Sequence, residues 1–355
     1  MKQIWLTVGL VALTAAAAAE DSLTVVSWGG AYTESQQRAY SVPFTEMTGV
    51  EIIDDDSSAE GLAGIRAQVD AQQVTWNVVD VLESTAQRLC DAGYLEVISP
   101  DMLPAGDDGT PAAEDFVRLG DCFVPTIVYS TLFGYNSEAI DSAPSSVADI
   151  WALAMDGNKV GLERIPQKNM EWALMVDGVA PADVYAVLAT EEGQDRAFTK
   201  LDEIKENVVW WSAGAEPPQL LADGEVVASS AFNGRLFNAA AVENQPIEII
   251  WDLHMYELDG WSIPVGQSEA QLALAIDYLV FSTDTQRLAD QAKFISYGPA
   301  RASSIPLVSD HADLGIDMGP HMPTAYMDQA FDFDPFFWVD FGDALEERFN
   351  VWLLQ

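Results

Sequence analysis

The chain has 355 residues, with 16 basic against 56 acidic side chains and a formal net charge of −40. This excess of negative charge argues against nucleic acid or an anionic membrane as a partner, and it favours cationic ligands or a salty habitat. Most of the charge serves to keep a protein soluble, so only acids that face a cleft would bear on ligand binding. The length predicts two lobes, each large enough to bury its own core.

Residues 1–19 have the pattern of a secretory signal peptide. Lys2 is followed by an apolar stretch from Ile4 to Ala19, which ends in three alanines before Glu20. The stretch is shorter than the roughly 20 residues that a membrane span needs, and no cysteine follows it to carry a lipid. We therefore expect cleavage after Ala19 and export of the mature protein to the periplasm.

The first predicted strand, 23–27, runs into the sequence Ser-Trp-Gly-Gly-Ala-Tyr. The two glycines let the backbone approach a ligand, and we expect a helix to begin near Thr33 or Glu34. Trp28 and Tyr32 would then flank a cleft at the carboxyl end of the strand. The alternative is that both aromatic side chains belong to the core.

The next elements alternate between strand and helix. An extended segment at 50–53 precedes a helix near 59–73 and an apolar strand at 78–82. This βαβα order predicts a mainly parallel sheet with helices on both faces. Ser84 follows the last of these strands, at the edge where open α/β sheets place their ligands.

The chain contains two cysteines, Cys90 at the end of a predicted helix that Gly93 caps, and Cys122. In an exported protein an isolated even pair predicts one disulfide and no remaining thiol. The alternative is two buried free thiols. No cysteine motif for metal or redox chemistry is present.

The β-rich run 124–135 is too long for an ordinary buried strand and is suited to pass from one lobe into the other. A turn-rich stretch follows to Ile150, and then a second set of elements begins. We predict strands at 159–163, 208–211, 225–232 and 247–251, helices near 169–177, 192–206, 217–222, 236–243, 267–282 and 284–294, and a closing amphipathic helix at 336–353.

The sequence offers little material for catalysis. Three histidines, His254, His311 and His321, lie in no recognisable ligand spacing, and neither Gly-x-Ser-x-Gly nor a phosphate-binding Gly-Lys-Ser/Thr motif occurs. The acidic cluster around His311 and His321 lies in a loop that contains glycine and proline. We therefore expect no enzyme, no metal and no cofactor, and a secreted enzyme remains the alternative class.

The motifs Ser-Trp-Gly-Gly-Ala-Tyr, Val-Asp-Val-Leu-Glu-Ser, Phe-Gly-Tyr-Asn, Phe-Asn-Gly-Arg, Leu-Asp-Gly-Trp-Ser-Ile-Pro and Tyr-Gly-Pro occur in an order that resembles the periplasmic spermidine/putrescine-binding proteins of ABC importers. The resemblance covers nearly the whole mature chain. It implies an α/β, bilobed type II periplasmic-binding-protein fold, with two α/β lobes joined by a two-strand hinge. We expect residues 20–130 plus 260–310 in the first lobe, and 131–259 plus 311–355 in the second lobe with a C-terminal helical tail.

The resemblance also implies a ligand site. It places Trp28, Tyr32 and Ser84 on the first lobe's side of the cleft. Further candidates are Trp211, Asn233, Asp259, Trp261 and Tyr297. Asp259 corresponds to the carboxylate that holds a ligand ammonium in this family, and nearby aromatic faces stabilise such a cation by roughly 0.5–2 kcal/mol each.

Two departures from the family pattern bear on the ligand. The chain has Ile165 and Lys168 where the family has an acidic pair, and Glu257 where it has an aromatic residue. Arg164 and Lys168 could instead face a ligand carboxylate, unless both lie at a solvated helix start. We expect a monomeric receptor that delivers a small cationic amine such as putrescine or spermidine to a membrane permease. The alternative ligand is a zwitterionic or quaternary amine, γ-aminobutyrate or betaine-like.

Overall fold

The computed structural model describes residues 22–355, so the predicted signal peptide lies outside the described residues. In the described part of the chain, no helix is long and apolar enough to cross a membrane. Its strands are β1 (Ser22–Val26), β2 (Glu51–Asp55), β3 (Val78–Leu82), β4 (Val124–Asn136), β5 (Val160–Glu163), β6 (Val208–Trp211), β7 (Ala228–Phe232), β8 (Ile247–Ser262), β9 (Gly298–Pro299) and β10 (Ala330–Phe331).

The α-helices surround a single sheet. They are α1 (Gly30–Gln36), α2 (Val42–Thr48), α3 (Gly61–Asp70), α4 (Glu83–Asp91), α5 (Ala112–Asp115), α6 (Val147–Met155), α7 (Asn169–Val176), α8 (Val184–Leu188), α9 (Glu191–Asp202), α10 (Glu216–Ala222), α11 (Asn233–Phe237), α12 (Glu269–Ser282), α13 (Thr285–Gln291) and α14 (Pro335–Leu353). Two π-helical turns, Gln37–Ser41 and Asn238–Val242, extend α1 and α11.

The sheet has the order β2-β1-β3-β8-β4-β7-β5-β6. Its two ends are parallel, as predicted, because β1 pairs in parallel with β2 and β3, and β5 with β6 and β7. Its centre is antiparallel, because β8 pairs antiparallel with β3 and β4, and β4 with β7. The prediction of a mainly parallel sheet is therefore wrong at the centre, where two long strands connect the halves.

These two long strands bring the carboxyl ends of both parallel halves together. Leu82, the last residue of β3, pairs with Asp259 inside β8, and Phe232, the last residue of β7, pairs with Thr131 inside β4. Thr131 in turn pairs with Met255. The strand ends that carry ligands in α/β proteins thus face one another above the middle of β4 and β8.

Each half of the sheet has its own apolar core. One core packs Trp151 and Trp172 against side chains of the closing helix α14, including Phe349. Another packs Tyr40 and Tyr278 with the strands of the first half. Two separate cores match the expectation from chain length. The boundaries of the two lobes remain a prediction.

Several elements differ from the sequence-based expectation. Helix α1 begins at Gly30, before Thr33, since Gly29 and Gly30 adopt φ values of 76° and 62° and turn the chain directly into the helix. Helix α6 lies partly in the stretch predicted as turns, where a capping box of Ser146 and Asp149 starts it.

Strand β8 is one element of 16 residues, although only its first part, 247–251, was predicted as a strand. The regular pairing of β8 with β4 is interrupted by a bulge, because Phe133 pairs with Ile250 whereas Thr131 pairs with Met255. Leu253 in this bulge has a φ of 49°, so the alternation of apolar and polar residues is lost locally although the strand continues.

The predicted disulfide is confirmed. Cys90 of α4 is bonded to Cys122, which precedes β4, with the two Cα atoms 5.8 Å apart. The bond closes a loop with a sequence separation of 32 residues. In the chain-entropy description such a loop stabilises a fold by about 3–4 kcal/mol.

We expect thiol titration of the unfolded, unreduced mature protein to find no free thiol. A Cys90→Ser/Cys122→Ser variant, compared with the wild type by denaturant unfolding, should lose about 3–4 kcal/mol because its unfolded chain is no longer cross-linked. Two reactive thiols in the wild type would contradict the prediction.

Candidate ligand-binding site

Aromatic side chains line the place where the strand ends meet. Tyr32 of α1 and Tyr129 of β4 both contact Tyr297, with ring centroids 5.6 and 6.1 Å apart in edge-on geometry. Phe232 packs against Tyr129 at 5.8 Å, and Trp211 packs against Phe232 at 6.0 Å. We call Tyr32, Tyr129, Tyr297, Phe232 and Trp211 the aromatic cluster.

The structure brings together most aromatic residues predicted from the sequence. Trp28 is half-buried at the edge of the cluster, next to Tyr32 and Tyr297. Tyr129 was not predicted, because a tyrosine inside a continuous β run looks like an ordinary core residue. Its role becomes visible only through the contacts that β4 makes.

A pair of carboxyl groups lies beside the cluster. Asp80 of β3 is fully buried and Asp259 of β8 is 5% exposed. Because Asp259 pairs with Leu82, two residues after Asp80, both side chains are on one face of the sheet, where each carboxyl group influences the pKa of the other. Asp259 was predicted. Asp80 was missed, although an acid inside the apolar run Val-Val-Asp-Val-Leu is a signal that could have found it.

Two donors hold Asp80 from the helix side. The Tyr32 hydroxyl donates to Asp80 Oδ2 at 2.7 Å, and the Gln36 amide donates to the same oxygen. Ser27 in turn donates to the Gln36 amide oxygen at 2.5 Å. The turn after β1 therefore positions the carboxyl pair as well as the aromatic rings.

Burial raises the pKa of Asp80 to about 6. The interactions of Asp80 with Asp259, Tyr32 and Gln36 lower its pKa, but their effect is smaller than that of burial. Burial, and then the charge of Asp80, raises the pKa of Asp259 well above its usual range. Two carboxylates this close cannot both ionise without a neighbouring cation, so the pair keeps a shared proton at neutral pH. A ligand ammonium in the same place would supply the missing positive charge.

A second buried charge cluster adjoins Asp259 along β8. Glu257 lies opposite Tyr129 in the strand register, and its Oε2 is 2.7 Å from Lys168 Nζ. The side chains of Lys168 and Glu257 are 9% and 11% exposed, and the Phe333 ring lies 5.2 Å from the ammonium. The two departures from the family pattern therefore pair with each other, and the Lys168 ammonium is engaged inside the protein.

Arg235 of α11 presents a guanidinium on the other side of the cluster. Burial raises the pKa of Tyr297 to about 12, and the charge of Arg235 acts in the opposite direction. The guanidinium therefore lies near the Tyr297 hydroxyl. A Cβ on Gly214 would be 3.2 Å from Arg235 Nε, and one on Gly30 would be 3.8 Å from Nη1. Among residues 22–355, no side chain forms an ion pair or hydrogen bond with this guanidinium.

A cavity of about 300 Å³ opens beside Arg235, between the turn after β1 and helices α10 and α11. Its volume is at the lower end of the range for small-molecule sites. Residues that line it include Ala31, Ala215, Gln219, Arg235, Asn238 and Glu243. Arg235 was not predicted as a site residue, although it lies two residues after the predicted Asn233.

The remaining predicted residues have other surroundings. Trp211 is 1% exposed, and its indole N–H has no hydrogen-bond partner in the described part of the chain. Asn233 is fully buried, where it accepts a hydrogen bond from the Ser130 amide at 2.9 Å and donates to the Ser296 carbonyl at 2.5 Å. Asn233 thus holds β4 and the segment before Tyr297 in place.

Three further candidates are not members of the aromatic cluster, although the backbone N–H of Arg164 donates to the Trp211 carbonyl at 2.8 Å. Trp261 is fully buried and packs against Tyr40 and Tyr278 in the core of the first half, so it has no free face for a ligand. Ser84 lines a cavity of about 10 Å³ together with Phe333 and others. Arg164 is exposed.

Known proteins similar to this chain bind small solutes. The family model described as bacterial extracellular solute-binding protein matches residues 39–324. A gamma-aminobutyric acid-binding protein of Pseudomonas aeruginosa is 37% identical over 344 residues, which cover 97% of this chain and 94% of that protein.

Solved structures match over almost the full length. A structure of a γ-aminobutyric acid (GABA) receptor has a TM-score of 0.78 at 27% identity, with 94% of this chain and 97% of that chain covered. An ABC transporter substrate-binding protein from Bradyrhizobium japonicum has a TM-score of 0.80 at 27% identity, with coverages of 93% and 99%. The fold is that of the type II periplasmic binding proteins, as predicted.

The raised pKa values of the carboxyl pair predict how stability changes with pH. Well below pH 4 both acids are protonated in the folded and in the unfolded chain. The unfolded chain releases these protons near pH 4, whereas the folded pair retains protons to about pH 6 and above, so the wild type loses stability as the pH rises through this window. Asp259→Asn removes the repulsion and should melt at a higher temperature than the wild type at about pH 8, with a smaller difference at about pH 4.5.

Thermal melting of the ligand-free proteins at these two pH values measures this effect. Asp343→Asn, which removes one acid from the exposed face of α14, is the matched control and should show no such pH-dependent gain. An Asp259→Asn protein that is less stable than the wild type at pH 8 would contradict the assignment of the carboxyl pair.

Proposed function

Since the chain belongs to the bacterial extracellular solute-binding protein family, we propose that it is the periplasmic receptor of an ABC importer for a small ω-amino acid, with GABA as the first candidate. One observation carries the proposal. A buried acidic pair and an unpaired guanidinium lie at two sides of one aromatic cluster. This arrangement suits a ligand with an ammonium at one end and a carboxylate at the other.

The ammonium end of the ligand binds at Asp80 and Asp259. In this arrangement the ligand cation replaces the shared proton and neutralises the pair in a place where water is largely excluded. The faces of Tyr32 and Tyr297 stabilise the same cation by about 0.5–2 kcal/mol each. Charge-assisted hydrogen bonds from the ammonium to the carboxylate oxygens fix the orientation of this end of the ligand.

The carboxylate end binds at Arg235. A guanidinium forms two parallel hydrogen bonds with a carboxylate, and no acid among the described residues forms an ion pair with this one, although Asp223 and Glu243 line the same cavity. The indole N–H of Trp211 is a further donor that lacks a partner in the described residues. The ligand thus satisfies groups that the folded chain leaves unpaired.

A polyamine, the first expectation from the resemblance, suits this site less well. Both ends of putrescine or spermidine are cationic, so one end would approach the like charge of the Arg235 guanidinium. The relative that matches nearly the whole chain is named for GABA. Both facts support the zwitterionic alternative.

Capture follows from the hinge. In the predicted lobe arrangement, Asp80 and Tyr32 belong to the first lobe, and Trp211 and Arg235 to the second. A ligand that contacts both lobes stabilises the closed state, and β4 and β8 are the strands about which the lobes move. The closed, loaded protein then delivers the ligand to a membrane permease.

The proposal predicts that both ends of the ligand site are needed. Asp259→Asn and Arg235→Met should each weaken GABA binding by about 2–4 kcal/mol, roughly 30- to 1,000-fold, because each leaves one ligand charge buried without a partner. Isothermal titration of purified mature protein measures the loss. Arg88→Met, on the exposed side of α4, is the matched control and should bind like the wild type.

The same titration tests the carboxylate partner predicted from the sequence. If Arg164→Met loses GABA binding and Arg235→Met keeps wild-type affinity, the ligand carboxylate binds at Arg164 and not at Arg235. Asp259→Asn with wild-type affinity would refute the ammonium site.

Hinge closure predicts a change in shape. Small-angle scattering should show a smaller radius of gyration after addition of saturating GABA, since the lobes close over the ligand. Asp259→Asn measured under the same conditions provides the unliganded reference. An unchanged envelope in a wild-type protein whose binding is established by titration would contradict closure about β4 and β8.

A further inference from the structure

We propose that Lys168 is a specificity-determining residue, which cancels the charge of Glu257 and so prevents the cleft from accepting a second ammonium group. The inference rests on the proposed function and deepens it, because it explains how a receptor for an ω-amino acid rejects diamines. It follows from the position of the pair relative to the aromatic cluster.

Glu257 lies directly behind one wall of the ligand site. It is two residues before Asp259, so the two side chains share one face of β8. Across the sheet it is opposite Tyr129, and burial together with the charge of Glu257 raises the pKa of that tyrosine. A diamine that binds Asp259 with one ammonium group and extends past Tyr129 would bring its second ammonium group to the Glu257 carboxylate.

Lys168 is held in place for this role by its backbone and its surroundings. It precedes α7 with a φ of 71°, a conformation that non-glycine residues rarely adopt, and its side chain is buried beneath Phe333. Its ammonium lies 2.7 Å from Glu257 Oε2. The lysine therefore occupies the space beside Glu257 that a ligand ammonium would need.

Another acid lies near Lys168. Glu163, at the end of β5, is also within electrostatic reach of Lys168, and its Oε2 is buried with no hydrogen-bond partner among the described residues. Without Lys168, two carboxylates would face this end of the cleft, which is the arrangement that suits a diamine. A single protein cation thus acts as a repulsive element against the wrong ligand.

Isothermal titration with GABA and putrescine at about pH 8 tests the inference. Lys168→Met should bind putrescine at least about tenfold more tightly than the wild type does, while its affinity for GABA changes by less than about threefold. Lys168→Met/Glu257→Gln is the matched control. It lacks both charges and should lose most of the gain for putrescine.

Lys168→Met with wild-type GABA affinity and no gain for putrescine would overturn the inference, and so would a gain that persists in the double variant. Melting temperatures establish that each variant is folded. If Lys168→Met does not fold, Lys168→Gln, whose amide can still donate to Glu257, carries the same expectation. A wild type that does not bind GABA would instead overturn the proposed function. In that case the putrescine affinities of the wild type and the variants still test the role of Lys168.

Discussion

The antiparallel pairing of β4 with β8 is the constraint on which the rest of the molecule depends. The two strands connect the halves of the sheet, and their registers bring the ends of β3 and β7 to the middle of the molecule. Tyr129 on β4, and Glu257 and Asp259 on β8, come from these two strands themselves. The same pairing therefore builds the hinge and the floor of the candidate site.

Burial of charge is the second theme of the site. Asp80, Asp259, Lys168 and Glu257 are all withdrawn from water, which is unfavourable unless each charge has a partner or a proton. Lys168 and Glu257 satisfy each other, whereas Asp80 and Asp259 share a proton. The structure thus keeps one charge cluster closed and leaves another ready for a ligand cation, at a cost in stability near neutral pH.

The two departures from the polyamine-receptor pattern illustrate why single positions are hard to interpret. Lys168 alone suggests a partner for a ligand carboxylate, and Glu257 stands where the family has an aromatic residue. In the structure their charges are 2.7 Å apart and neutralise each other. The free guanidinium is that of Arg235, which comes from a different element.

The order of most elements, the bounds of strands β3 and β6, the disulfide, and the type II fold could all be predicted from the sequence. These features depend on short-range periodicity, on composition or on a family pattern. The partnerships of Asp80 with Asp259, and of Lys168 with Glu257, were decided only by the tertiary structure. In each pair the residues are far apart along the chain. The register of β3 with β8, which leaves no local pattern, places Asp80 and Asp259 on one face, and Lys168 reaches Glu257 from the segment before α7.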